Sequence, residues 1–270
     1  MIVGIRNLLL ALLTAVVGLT AALYFFQDRI LFPGGPIRPE RLAYIREHYP
    51  HAEEISISTG DGVTLHGWLV ESLGQDKAPL VIYFGGNGEE VSHQLDTAHL
   101  LPGPLLAVNY RGYGLSEGRP GEDAFFRDAL AIYDQAAAWE KVEGQGVVVM
   151  GRSIGSGVAV YLAAAREVRG VVLISPYDSI AAVARDQLPF FPSSLIRHPF
   201  KVFDEAAGLE APLLAIIGRE DRVIRPERSF RLVSAWKGPK SVQILEGEGH
   251  NTLQENPLFW ESILSFLQDL

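Results

Sequence analysis

A doubly wound, mostly parallel α/β sheet is the fold class the sequence predicts, and three observations predict it. From residue 80 onward, short apolar runs alternate with segments of helical length, as parallel strands joined by crossover helices require. Runs such as Leu80–Phe84 and Val147–Met150 are apolar at consecutive positions, so these strands are covered on both faces. They lead into glycine-rich turns, Gly85-Gly86-Asn87-Gly88 and Gly151-Arg152-Ser153-Ile154-Gly155, at the sheet edge where open α/β folds carry their chemistry.

The first element is not part of that sheet. Leu8 to Phe26 is uncharged throughout, nineteen residues that match the length of a helix crossing about 30 Å of hydrocarbon. Tyr24, Phe25 and Phe26, followed by Asp28 and Arg29, form an interfacial end. Residues 1–27 are therefore expected to be an N-terminal membrane anchor in a single-pass protein. The rival is a cleaved signal peptide, which would make the protein secreted; Arg6 and the small residues Thr20-Ala21-Ala22 fit one, but the apolar run is long for it. Arg6 and the amino terminus oppose Arg29, Arg38, Arg41 and Arg46, so charge leaves the membrane face open.

Residues 28–52 form a connector, stiffened by Pro33-Gly34-Gly35-Pro36 and Pro39, with a short helix expected over Arg41–His48. The globular unit is expected over 53–270. Glu54–Ser58 and Val63–Glu71 flank Gly60-Asp61-Gly62 as a hairpin, the antiparallel edge of the sheet. Strand Leu80–Phe84, a helix from Glu90 to Leu100 and strand Leu105–Asn109 follow. Then come helix Asp123–Glu140, strand Val147–Met150, helix Ile154–Arg166 and strand Val171–Ile174. Residues 178–210 break the alternation with Pro189, Pro192, Pro199 and several aromatics, and read as an inserted cap of short helices. Leu213–Ile217, Glu227–Trp236, Val242–Leu245 and Asn256–Leu267 complete the sheet and its cover.

Composition narrows the chemistry. A net charge of −9, with no basic run, argues against a nucleic-acid partner. The chain has no cysteine, hence no disulfide, thiolate metal site or cysteine nucleophile. Walker A and His-Glu-x-x-His patterns are absent, and nothing calls for a metal or organic cofactor.

Ser153 stands at the apex of a strand–turn–helix, where Gly-x-Ser-x-Gly acquires meaning as a nucleophile elbow. Gly151, Gly155 and Gly157 also fit a dinucleotide-binding spacing. That reading lacks its companions: the turn lies past mid-chain, no Tyr-x-x-x-Lys occurs, and no acidic residue closes strand 170–175. A serine hydroxyl needs a base oriented by a carboxylate, and the order Ser, acid, His is diagnostic for this architecture. Only His198 and His250 follow Ser153; His250, in the loop after the last strand, is the candidate base, whereas His198 sits within the cap. Asp221 after strand Leu213–Ile217 fits best as the acid, with Glu220 its close rival. Asp178 reads instead as a helix cap. The oxyanion donors are expected to be the backbone N–H groups of Ile154 and Asn87. Asn109, Arg111 and Tyr113 are expected to support the elbow and the Gly85–Gly88 loop.

With FGGNGE at 84–89, NYRGYGLSEG at 109–118, GRSIGSG at 151–157, GREDRVI at 218–224 and EGEGHN at 246–251, the chain from about residue 54 onward resembles the α/β-hydrolase-fold serine hydrolases. More narrowly it is similar to the membrane-anchored α/β-hydrolase-domain proteins, which share a connector like LFPGGP. That resemblance implies an esterase or thioesterase acting on a small-molecule or lipid-linked acyl substrate through an acyl-enzyme. A serine peptidase, or a non-catalytic interaction protein on the same fold, are the alternatives. Such relatives usually read His-Gly-Asn-Ala where this chain has Gly85-Gly86-Asn87-Gly88, so a side chain beside the oxyanion loop is missing while its backbone donors remain.

Overall fold

The computed structural model describes residues 2–71, 78–139, 142 and 146–270. One eight-stranded sheet runs in the order β1-β2-β4-β3-β5-β6-β7-β8. Strands β1 (Ala52–Ser58) and β2 (Thr64–Val70) form the antiparallel hairpin, and β2 also lies antiparallel to β4 (Leu105–Val108). Strands β3 (Leu80–Phe84), β4, β5 (Val147–Arg152), β6 (Gly170–Ile174), β7 (Leu213–Gly218) and β8 (Lys240–Leu245) are mutually parallel, the doubly wound arrangement expected. Strand order reverses at β3, with β4 on one side and β5 on the other. Phe84 lies opposite Gly151 across the β3–β5 pair, so the turns after these strands open side by side at the switch point.

The consecutive apolar runs are explained by two separate cores. Ile82, Phe84, Val147 and Val149 face one layer, with Phe125 and Ala129 of helix α3 (Glu122–Ala137) and Val158 and Leu162 of helix α4 (Ile154–Ala165). Val81, Tyr83, Val148 and Met150 face the other, with Ile45 of helix α2 (Pro39–His48) and Phe259 and Ile263 of the closing helix α8 (Pro257–Gln268). Burying each such aliphatic side chain is worth roughly 1.5–3 kcal/mol. Helix α4 has nine of its twelve residues buried, so the element behind Ser153 is enclosed rather than amphipathic.

Helix α1 spans Ile2–Leu31, four residues beyond the expected anchor; Gly4–Leu31, with mean hydropathy 2.3 over its most apolar window, is long and apolar enough to cross a membrane. The connector after it is packed rather than loose. Phe32 is buried against Phe125 and Phe200, Gly34 lies so close to the Tyr113 ring that a Cβ would sit 2.1 Å from it, and Gly35 C=O accepts from Gly114 N–H.

Within 178–210 the chain forms α5 (Ile180–Gln187), a 3-10 turn (Ser193–Leu195) and the short α6 (Phe203–Ala206). The end of α1 meets this segment directly. The Gln27 side chain donates to Leu195 C=O and accepts from Arg197 N–H, and Asp28 pairs with Arg197 at 3.0 Å and His198 at 3.3 Å. His198 Nδ1 accepts from Glu122 N–H at the start of α3, which makes Nε2 the protonated nitrogen, 3.3 Å from Asp28 Oδ1. Helix α7 (Pro226–Ala235) follows β7.

Three expectations are corrected. The Glu90–Leu100 segment is two 3-10 helices, Val91–Asp96 and Ala98–Leu100. Glu90 takes the Ser92 N–H and hydroxyl while Thr97 bonds to Gln94 C=O, and these local bonds compete with the α-helical ladder. Helix α5 is capped by Ser179, whose hydroxyl accepts from Ala182 N–H; Asp178 instead pairs with Arg228 and Arg231. Arg111 supports neither turn of the site, because two carboxylates claim it: Asp128 of α3 at 2.6 Å and Asp61 of the hairpin turn at 2.7 Å. The expected helix end at Glu140 lies outside the described residues; the helix there is Glu122–Ala137.

Candidate active site

The turn after β5 is built on strain. Ser153 has φ 53° and ψ −120°, a conformation that costs a non-glycine residue roughly 1–3 kcal/mol. The surroundings enforce it: Ser153 N–H donates to Ile174 C=O of β6 at 2.8 Å, and Ser153 C=O accepts from the Ser156 hydroxyl at 2.7 Å. Gly155 lets α4 approach β3 so closely that a Cβ there would lie 2.2 Å from Phe84 C=O. Tyr177 completes the support, donating its hydroxyl to Ile154 C=O.

At this turn three side chains from three strand ends meet. Ser153 Oγ lies 3.0 Å from His250 Nε2, and His250 Nδ1 lies 2.7 Å from Asp221 Oδ2. Asp221 is 4% exposed, and its carboxylate also accepts Val223 N–H and Ile224 N–H on Oδ1 and the Ser175 hydroxyl on Oδ2. Burial alone would push this carboxyl up. The hydrogen bond and charge of His250, with the Ile224 N–H and Ser175 hydroxyl, outweigh it and hold the carboxyl below the usual aspartate value. The anion thus fixes Nδ1 as the donor and leaves Nε2 able to accept the serine proton.

The rival residues lie elsewhere. Glu220 is exposed beside Asp221, and its N–H donates to Glu248 C=O. His198 belongs to the α1–cap junction, and Asp178 to its arginine pairs. Among the described residues, no cluster of three histidine, aspartate or glutamate side chains is placed to hold a metal.

For the expected oxyanion donors, Ile154 opens α4, where the first N–H groups have no acceptor within the helix and the dipole favours negative charge. In the opposite loop Gly86 N–H is already donated to Glu89 Oε2 at 2.6 Å, while Tyr110 Oη donates to Gly85 C=O. That leaves Asn87 N–H as the next donor along the turn. A cavity of about 620 Å³ borders this loop, walled by Pro36, Ile37 and Arg38 on one side and Gly88, Glu89 and His93 on the other.

Four supporting residues escaped the sequence reading: Ser175, Tyr177, Glu89 and Arg152. Ser175 reaches a partner 46 positions away, with no local spacing to announce it. Its backbone, at φ 48° where β6 ends, is a second strained serine that a Ser-Pro step only hints at.

A family model described as serine aminopeptidase, S33, matches residues 81–191. The uncharacterized protein Rv2307c of Mycobacterium tuberculosis is 31% identical over 226 residues, covering 82% of this chain and 80% of that protein. The α/β hydrolase domain-containing protein WAV2 of Arabidopsis thaliana is 27% identical over 94% of this chain and 91% of its own length. Among solved structures, the Pyrococcus furiosus esterase Pf2001 superposes with a TM-score of 0.66 at 22% identity, covering 87% of this chain and 96% of the esterase, a likeness of fold.

Proposed function

The chain belongs to the α/β-hydrolase family, and from that premise we propose that it is a membrane-anchored serine hydrolase cleaving ester or thioester bonds. One observation carries this reading: the hydrogen-bonded series Ser153–His250–Asp221 mounted on a strained seryl turn. Ser153 Oγ attacks the acyl carbonyl as its proton passes to His250 Nε2, and Asp221 stabilises the resulting imidazolium. The N–H groups of Ile154 and Asn87 receive the negative oxygen. Collapse of the tetrahedral adduct expels the alcohol or thiol, which takes the proton from Nε2. Water then gives a proton to His250, attacks the acyl-serine, and releases the acid with Ser153 restored. No step draws on a metal or organic cofactor.

In this reading residues 1–27 anchor the chain, 28–52 connect, and 53–270 form the hydrolase unit with its cap at about 178–210. The substrate is a small-molecule or lipid-linked acyl compound. A fluorophosphonate probe tests the reading: the full chain in detergent should label at Ser153, and Ser153→Ala should not. An unlabelled wild-type protein would leave a hydrolase-fold interaction protein as the answer. The family model's description favours peptide cleavage as a second reading, and a panel of p-nitrophenyl esters, acyl thioesters and aminoacyl peptides separates the two. Sequencing the mature N-terminus tests the anchor, since a start after Ala22 would mean a cleaved signal.

A further inference from the structure

Glu89 and Arg152 join three segments around Ser153; β3 and β5 are paired strands, but no strand pairing connects the His250 loop after β8 to either of them. The Glu89 carboxylate accepts Gly86 N–H at 2.6 Å, the Tyr83 hydroxyl at 2.9 Å and the Gln94 amide at 2.8 Å. Its remaining partner is Arg152 Nη1 at 3.4 Å. Arg152 directly precedes Ser153, and its Nη2 donates to Asn251 Oδ1 at 3.0 Å and to His250 C=O at 3.4 Å. One guanidinium thus ties the loop after β3, the elbow and the base's loop together. A planar guanidinium fork is well suited to serve acceptors on both sides in this way.

The pair also fills a particular space. A Cβ at Gly85 would meet Glu89 Cβ and Cδ at 3.4 Å, and a Cβ at Gly86 would lie 2.9 Å from Arg152 Nη1. Glu89 and Val91, the latter 3.3 Å from the same Cβ position, therefore border the space that a side chain at position 85 would enter. A bare carboxylate beside the oxyanion loop would oppose the negative charge that develops there. Arg152 offsets it.

We propose that Glu89 and Arg152 are positioning residues: Glu89 sets the oxyanion loop by holding Gly86 N–H, and Arg152 neutralises Glu89 while fixing the His250 loop. This rests on the reading of Ser153 as nucleophile and Asn87 N–H as oxyanion donor. It predicts an inversion that a merely structural tie would not give. Arg152→Ala, which leaves Glu89 unneutralised, should lower kcat for a p-nitrophenyl ester about 100-fold with KM changed by less than about threefold. Adding Glu89→Gln to that variant should recover about tenfold of kcat, because the uncompensated charge is gone. Arg152→Lys keeps the charge without the fork and should lose about tenfold, and it guards against a misfolded alanine variant if its Tm matches the wild type. Millimolar guanidinium should restore part of the Arg152→Ala rate. A double variant as slow as Arg152→Ala alone, or variants with the wild-type kcat, would overturn the proposal while leaving the nucleophile intact. A wild-type chain that fails to label with fluorophosphonate would instead defeat the reading of the site, and this proposal with it.

Discussion

Asp221 concentrates most of the site's electrostatics in one side chain. It accepts four hydrogen bonds from His250, Ser175, Val223 and Ile224, so its charged form is the one the fold selects. Replacing it with asparagine keeps the shape but loses the anion that fixes the His250 tautomer. In the proposed mechanism kcat should fall on the order of 10³–10⁴-fold for a p-nitrophenyl ester, with the protein still folded by circular dichroism. The same residue contributes to acid stability with a definite sign. Its folded carboxyl titrates below its unfolded value of about 3.9, so its contribution is present above that pH and is lost as pH falls through the folded value. Urea unfolding between pH 5 and 2 should show wild-type stability falling more steeply than that of Asp221→Asn. At this scale chain order and strand ends constrain where residues meet, and the structure brings Ser153, His250 and Asp221 together as that order implies. Ser175 was silent because its role comes from a neighbouring strand, not from its own surroundings in the chain.

At the scale of elements, consecutive apolar residues made the parallel strands legible because each buried strand must satisfy two cores at once. The spacing of the 90–100 crossover allows an α-helix; capping by Glu90 and bonding within the turn decide for 3-10 winding. Arg111 shows the same limit for charges. Its neighbours in sequence suggest the site, whereas its partners come from the hairpin and α3, two elements that nothing local brings together. Arg111 and Asp128 have side chains only 6% and 3% exposed, so this is a buried ion pair. Burial raises the Asp128 carboxyl, and the arginine opposes that shift. Removing one partner of such a pair leaves an uncompensated buried charge, and Arg111→Ala should cost about 3–5 kcal/mol in denaturant unfolding. A loss below about 1 kcal/mol would show that solvent reaches the pair.

For the whole molecule, the decisive contact is the one between α1 and the cap. His198 bridges them in its neutral form, with Nδ1 accepting from Glu122 N–H and Nε2 facing Asp28. Burial lowers its pKa; Asp28 and Asp123 resist that shift and Arg197 assists it. A folded value below the unfolded one of about 6.5 means the unfolded or opened state binds the extra proton. The junction's stability is therefore complete above about pH 6.5 and declines as pH falls below it. Hydrogen exchange, corrected for intrinsic rates, should show residues 195–200 less protected at pH 5.5 than at pH 7.5. His198→Gln should flatten that difference.

This junction also determines how far the molecule can search. Twenty-five residues of flexible coil would let a tethered unit roam about 25–30 Å from its mooring. Here Phe32, Gly34 and Gly35 are packed into the body, and Gln27 and Asp28 are fastened to the cap. The body cannot swing on a leash. In the proposed reading, with α1 in a bilayer, these contacts hold the body near the membrane surface, so lateral diffusion of whole molecules, more than the sweep of a tether, would set how often a substrate meets Ser153.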